Sequence, residues 1–251
     1  VQQTASTVIR MSAYGLLIKL YPMRRFAISD IHGCSQTFRS ALRRLKLQRE
    51  DILYLLGDYI DKGPNSKGVL DLIFELRAAG IQVHCLRGNH EDNLLAAYRD
   101  KTLRVYLQEW SAWPTLHSFG ARELEDIPDR YWTFFDDLPH CLELEDYVLV
   151  HAGFLFAKAN PVEKRQAMLN IRDWYEDIDQ DWLANRLIVH GHDKRKRQRI
   201  EQQLEDIATT PVVAIDAGCV YAEHDGLGNL CVYDLDRRQV FFEPNREFIN
   251  I

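Results

Sequence analysis

The stretch LYLLGDYIDKGPNSKG, residues 53–68, says more about the architecture than any other in the chain. Its apolar run ends at Gly57. Two aspartates, Asp58 and Asp61, then sit three apart in a turn rich in glycine, proline and asparagine, and Lys62 follows the second acid. A continuous apolar run of this kind reads as a strand buried on both faces. Acids gathered where such a strand stops point to the carboxyl edge of an α/β sheet, the edge on which ligands bind.

The same grammar recurs on both sides of this stretch. Strand-like runs are RFAIS (25–29), ILYLL (52–56), IQVHCL (81–86), YVLVH (147–151), LIVHG (187–191), PVVAID (211–216), LCVYDL (230–235) and QVFFE (239–243). Between the early ones lie helical patterns. SQTFRSALRRLKL puts Phe38, Leu42 and Leu45 on one face, and NSKGVLDLIFELRAAG does so with Val69, Leu72, Ile73 and Leu76 before stopping at Gly80. Alternation of strand and helix implies an α/β core with right-handed crossovers. The chain from about residue 211 is mostly strand, so a sheet-on-sheet core with helices outside accommodates both halves. Residues 92–146 read differently: helical over NLLAAYRDKTLRVYLQEW, then rich in aromatics, including Trp110, Trp113, Phe119, Tyr131, Trp132, Phe134 and Phe135. They are expected to form a helical insertion with a small aromatic core, capping one wall of a cleft.

The bulk numbers fit one globular domain. The chain has 251 residues, 46% hydrophobic and 27% charged, with no composition shift that marks a linker. Its 31 basic and 37 acidic residues give a net charge of −6, which argues against general nucleic-acid binding. Five scattered cysteines carry no zinc spacing and fit free thiols in a reducing, cytoplasmic setting. No apolar stretch is long enough to span a bilayer. Residues 1–22 contain a short apolar segment broken by Lys19 and make a poor signal peptide, so they are expected to lie outside a domain covering 23–251.

The chemistry lies in the residues immediately after each apolar run. Asp30 and His32 follow the first, Asp58 and Asp61 the second, Asn89 and His90 the third; His151 ends the fourth, and His190 and His192 close the fifth. One histidine or aspartate at a strand end is commonly a turn former or a hydrogen-bonded structural residue. Five such endings in order make that explanation improbable. The set holds carboxylates, imidazoles and a carboxamide without a thiolate, which suits Mn²⁺, Fe or Zn²⁺. It exceeds the needs of one tetrahedral ion. Paired metals bridged by a carboxylate are the usual device for in-line attack on a phosphoester, and Asp58 in the central turn is the natural bridge.

The blocks DIHG, GDYIDKGPNS, RGNHE, HAG and VHGH resemble the signatures of the calcineurin-like metallophosphoesterases. They are closer still to the phosphoprotein phosphatase branch, which includes bacterial serine/threonine phosphatases and symmetrical diadenosine tetraphosphatases. The resemblance covers roughly residues 23–216. It implies a four-layer αββα sandwich with a small helical cap and a dinuclear centre, Mn²⁺ ahead of Fe or Zn²⁺. By position it assigns Asp30, His32 and Asp58 to one metal, and Asp58, Asn89, His151 and His192 to the other. His90 becomes the general acid, oriented by Asp61. His190 falls to a supporting place, and Lys194 stands where other branches have a second ligand histidine.

Two departures matter. Lys62 stands where the family usually has arginine, so it offers phosphate a point charge instead of a planar fork. Arg172, in LNIRDWYED, matches the second phosphate-binding cation. Ser29 replaces a commoner glycine. The implied reaction is attack by a metal-bridged hydroxide on a phosphomonoester, with phosphoserine or phosphothreonine protein as the first substrate reading. The alternative is symmetrical hydrolysis of a dinucleoside tetraphosphate, with the aromatic segment stacking an adenine and the basic run 193–199 holding polyphosphate. A catalytically dead binding protein would require a lost ligand, and none is lost. Asp216 is expected to position a ligand imidazole, and Tyr221 to lie near the cleft.

Overall fold

The computed structural model describes residues 23–156, 160–221 and 226–247. The expectation for residues 1–22 falls outside them. Nine strands form two sheets among the described residues. The first runs β3 (Gln82–Cys85), β2 (Ile52–Leu55), β1 (Arg25–Ile28), β8 (Asn229–Asp234), β9 (Gln239–Pro244). Its first three strands are parallel, and β8 and β9 join antiparallel. The second runs β4 (Cys141–Glu143), β5 (Tyr147–Val150), β6 (Leu187–His190), β7 (Val212–Ala214), parallel except for β4.

The continuous apolar runs are explained by where their two faces go. In β2, Leu53 and Leu55 face outward into a cluster with Phe38, Val69 and Ile73, whereas Tyr54 and Leu56 face the other sheet. In β5, Tyr147 and Leu149 face inward, while Val148 and Val150 meet Phe154, Met168 and Trp174. Each central strand is therefore buried twice, as period-two side chains between two covered faces require. The inner layer joins Ala27, Tyr54, Leu149, Val189, Val213 and Tyr233.

Helices α1 (Ser35–Leu45), α2 (Ser66–Ala78) and α3 (Asn89–Arg99) cover the first sheet. Short helices α4 (Trp113–Phe119) and α5 (Asp129–Asp136) form the cap and share that outer cluster. The cover on the second sheet is thinner: α6 (Arg165–Asn170), α7 (Gln180–Leu183) and the turns between them. Helix α8 (Arg197–Asp206) seals one edge, with Ile200 between the sheets. This is the αββα sandwich with mixed sheets.

The helix expected over residues 93–110 is shorter. It stops at Arg99, because Asp100 turns extended and its carboxylate caps Thr102, opening a separate 3-10 turn over Lys101–Tyr106. Among the described residues no helix is long and apolar enough to cross a membrane. All five cysteines are free of disulfides.

Candidate metal centre

Strand ends β1, β2, β5 and β6 and the start of α3 deliver the predicted residues to one place. The backbone there is unusual. Twelve described non-glycine residues have positive φ, and six of them are Asp30, His32, Asp58, Asp61, Lys62 and His192. Left-handed backbone at a non-glycine residue costs of order 1–3 kcal/mol and persists where surrounding structure enforces it. Here the enforcement comes from stacked turns. Asp30 N donates to Gly57 O, His32 N to Asp58 O and Gly33 N to Tyr59 O, zipping the first turn onto the second. Gly57 and Gly88 pack backbone to backbone: a Cβ on Gly57 would lie 2.6 Å from the Gly88 Cα.

Asp58 is the hub. Its carboxylate oxygens lie 3.4 Å from His32 Nε2, 3.4 Å from His151 Nε2 and 3.9 Å from His90 Nε2. Two donor groups share it: Asp58 with His32 and His90, and Asp58 with His151 and His192. Asn89 Oδ1 sits 3.0 Å from both His151 Nε2 and His192 Nδ1, inside the second group. Asp30 borders the cluster through a bond from the His192 backbone N–H (2.9 Å) and one from the Ser29 hydroxyl. That close approach needs Gly191, whose Cβ would lie 2.0 Å from Asp30 Oδ2.

The ring nitrogens are committed in a way that suits metal binding. His32 Nδ1 lies 2.9 Å from Ile60 O and His151 Nδ1 lies 2.8 Å from Leu56 O. A carbonyl can only accept, so each Nδ1 carries the proton and each Nε2 turns a lone pair toward Asp58. Burial pushes Asp30 up to about 7, helped by the Asp58 charge, and raises Asp216 as well. Burial would raise Asp58 too, but His151, His90 and His32 hold it below the usual carboxylate range. Burial lowers His32, and it brings His192 down to about 3. Neutral imidazoles, a carboxamide oxygen and crowded buried carboxylates form a donor set that fits divalent ions.

His90 and Asp61 are both buried beside the hub. Their bond is 2.7 Å from Nδ1 to Oδ2. Burial lowers the imidazole, but Asp58 and Asp61 outweigh it and raise His90 overall. Lys62 reaches inward, with Nζ 2.8 Å from His32 Nε2. Arg172 is half exposed and pairs with Asp193 at 2.8 Å, next in sequence to His192. With Tyr175, His190 and Arg195 it lines a cleft of about 320 Å³.

The neighbours of the hub carry no such mark in the sequence. Glu91, fully buried, accepts backbone N–H bonds from Asp58, Tyr59 and Gly88 at 2.8–3.0 Å and holds both turns. A glutamate three residues past a helix-opening glycine is the one signal that could have found such a cap. Thr115 gives its hydroxyl to Asp61 Oδ1 at 2.5 Å, from a helix 54 residues away in the chain. His190 is buried and meets Tyr175 Oη at 2.5 Å through Nε2, which supports its non-ligand place. Asp216 differs from expectation: its carboxylate accepts from Gly218 N, and no imidazole bonds it among the described residues. The basic run is largely spent on partners, Arg195 on Asp193, Lys194 on Tyr221, and Arg197 on Glu201.

Comparison with known proteins places this geometry. The family model for calcineurin-like phosphoesterase matches residues 23–227. Among curated proteins, the chain is 40% identical over 77 residues to a symmetrical bis(5'-nucleosyl)-tetraphosphatase of Wigglesworthia glossinidia brevipalpis, covering 30% of this chain and 27% of that one. It is 32% identical over 132 residues to the Cellvibrio japonicus protein of the same name, covering 52% and 45%. The matches thus span less than half the length of these relatives. Among solved structures, a putative diadenosine tetraphosphatase superposes with TM-score 0.61 at 21% identity, covering 89% of this chain and 94% of that one. A protein serine/threonine phosphatase from Saccharomyces cerevisiae superposes with TM-score 0.56 at 15% identity, covering 91% and 82%. At such identities the structural likeness concerns the fold.

Proposed function

The chain belongs to the calcineurin-like phosphoesterase family, and from that premise we propose that it is a metal-dependent hydrolase of dinucleoside polyphosphates. The chemistry rests on one observation: Asp58 is shared by two donor groups, and His90 of the first is held by Asp61. The substrate class rests on the names of relatives 31–32% identical over about half this chain. The phosphoprotein reading, first on sequence grounds, stands second here. Its support is a neighbour at 15% identity, which speaks for the fold only.

In this reading Asp30, His32 and Asp58 hold one ion, and Asp58, Asn89, His151 and His192 hold the other. Two bound ions would supply Lewis acidity and an acidic water at neutral pH. Lys62 and Arg172 offset charge on the phosphoryl oxygens and orient the chain of phosphates. His90, whose carboxylate neighbours strengthen its hold on the proton, gives its Nε2 proton to the leaving oxygen. A bond forms between water oxygen and phosphorus, the central P–O bridge breaks, and two nucleoside diphosphates leave.

The test is turnover of diadenosine tetraphosphate and a phosphoserine peptide side by side with added Mn²⁺, and His90→Asn as control. A specific activity on the dinucleotide at least tenfold higher, with adenosine diphosphate as sole nucleotide product, is the expected result (a margin of about 1.4 kcal/mol). The reverse preference would restore the phosphoprotein reading. Turnover of neither would remove the assignment of the site.

A further inference from the structure

Six large hydrophobic side chains are markedly exposed among the described residues, and three lie within nine positions: Val105 at 73%, Tyr106 at 43% and Trp113 at 56%. The other aromatics of the cap are spent inside it. Tyr131, Trp132, Phe134 and Phe135 are buried, and Tyr98 stacks on Trp132 at 4.0 Å and 8°. Tyr106 is tilted at 5.7 Å and 32° to Trp110, which is half-buried against the outer core.

The short helix that opens at Trp113 hangs on the turn that carries the site. The Lys62 backbone N–H donates to Ser111 O at 3.2 Å, and both residues are left-handed. Asp61 N donates to Thr115 Oγ1 at 2.9 Å, and Lys67 N to Ser118 Oγ at 3.1 Å. Trp113 is two residues beyond Ser111, so its backbone lies within about 7 Å of that tether. An exposed ring carried on backbone tethered to Lys62, the cation assigned to phosphate in the proposed reading, is the pairing a nucleotide presents, base and phosphate joined by one sugar. Flat bases stack on aromatic rings whatever their sequence.

Resting on the dinucleotide reading of the site, we propose that Trp113 is a stacking shelf for one nucleobase of the substrate. The base then sets specificity from outside the donor cluster, and base-free polyphosphates lose that contact.

Two readouts test it. The first is the ratio of kcat/KM for diadenosine tetraphosphate to that for inorganic tripolyphosphate. Trp113→Ala is expected to lower this ratio about tenfold, and Trp113→Phe to keep it. The second is quenching of tryptophan fluorescence by adenosine monophosphate, expected in the parent protein and lost in Trp113→Phe. An unchanged ratio in Trp113→Ala, or equal losses on both substrates, overturns the shelf, as does quenching that survives the phenylalanine change. If the parent protein cleaves neither substrate, the reading of the centre falls, and the quenching titration still decides the shelf.

Discussion

His90 lies 2.7 Å from one carboxylate and 3.9 Å from another, and its pKa is raised above the ordinary imidazole value. An imidazole raised in this way holds its proton to higher pH than a free one and loses it as pH climbs past the raised value. A general acid of this kind therefore sets the alkaline limb of kcat/KM. Asp61→Asn removes one of the two carboxylates that hold the proton, so that limb moves to lower pH. A pH–rate profile checks this, and an unmoved limb would take His90 out of the proton transfer. The leaving group sharpens the expectation. A phosphate oxygen ionises near pH ~6, far below an alkoxide, so His90→Asn costs less on a dinucleotide than on a phosphoserine peptide. At this scale the sequence discloses which residues meet, because each follows an apolar run and the runs lie side by side. It does not disclose Glu91 and Thr115 as their supports, since those contacts go to turn backbone and to a helix far along the chain. Nor does it mark the left-handed backbone of Asp58 and His192, because aspartate and histidine occupy ordinary conformations equally well.

Glu91 ties three elements together: the turn after β2, the turn after β3 and the first turn of α3. Its carboxylate is pushed up to about 7 by burial and by Asp58, against the pull of those N–H groups. Glu91→Gln keeps one acceptor and turns an NH₂ onto a second donor. Leaving a buried donor unmet costs about 1–3 kcal/mol, which in a protein of this size lowers the melting midpoint by roughly 2–12 °C. Calorimetry of the variant measures it, and an unchanged midpoint would make Glu91 dispensable to the turns. Element boundaries are legible wherever a strand is buried on two faces. Strand β4 gives no such signal, because Cys141–Glu143 is three residues long, partly exposed and paired on one side only. The helix expected over 93–110 overruns because Asp100 breaks it without a glycine or proline to announce the stop. The aromatics of the cap cannot be sorted into core and surface from the sequence, since Trp110, Trp113 and Trp132 look alike until packing decides which ring is covered.

The donor set spans both sheets. Asp30, His32 and Asp58 leave the first, and His151 and His192 leave the second. Ions held there would clamp one sheet to the other, so metal is expected to act on global unfolding. Mn²⁺ at a hundred times its dissociation constant should stabilise a chelator-treated sample by about 2.7 kcal/mol for each ion bound, seen as an upward shift of one cooperative transition. In Asp30→Asn that shift should shrink while the metal-free midpoint does not fall, because burial and Asp58 make the Asp30 charge a cost to the bare fold. A full metal response in Asp30→Asn would exclude it from the ligand set. The two-sheet core itself can be anticipated from the double-faced strands, whereas the thin cover over the second sheet cannot, being made of short helices and turns without a strong period.

The strand order of the first sheet bears on how the protein is made. Strand β1 pairs with β2 on one side and with β8 on the other, and β8 begins at Asn229. A ribosome adding about 5–20 residues per second leaves one edge of β1 bare for on the order of 10–40 seconds. Through that interval Phe26, Ala27 and Ile28 form an unprotected strand edge, the kind that invites pairing with a neighbouring chain. Yield in the cell therefore depends on how well the nascent chain is shielded until its last two strands emerge.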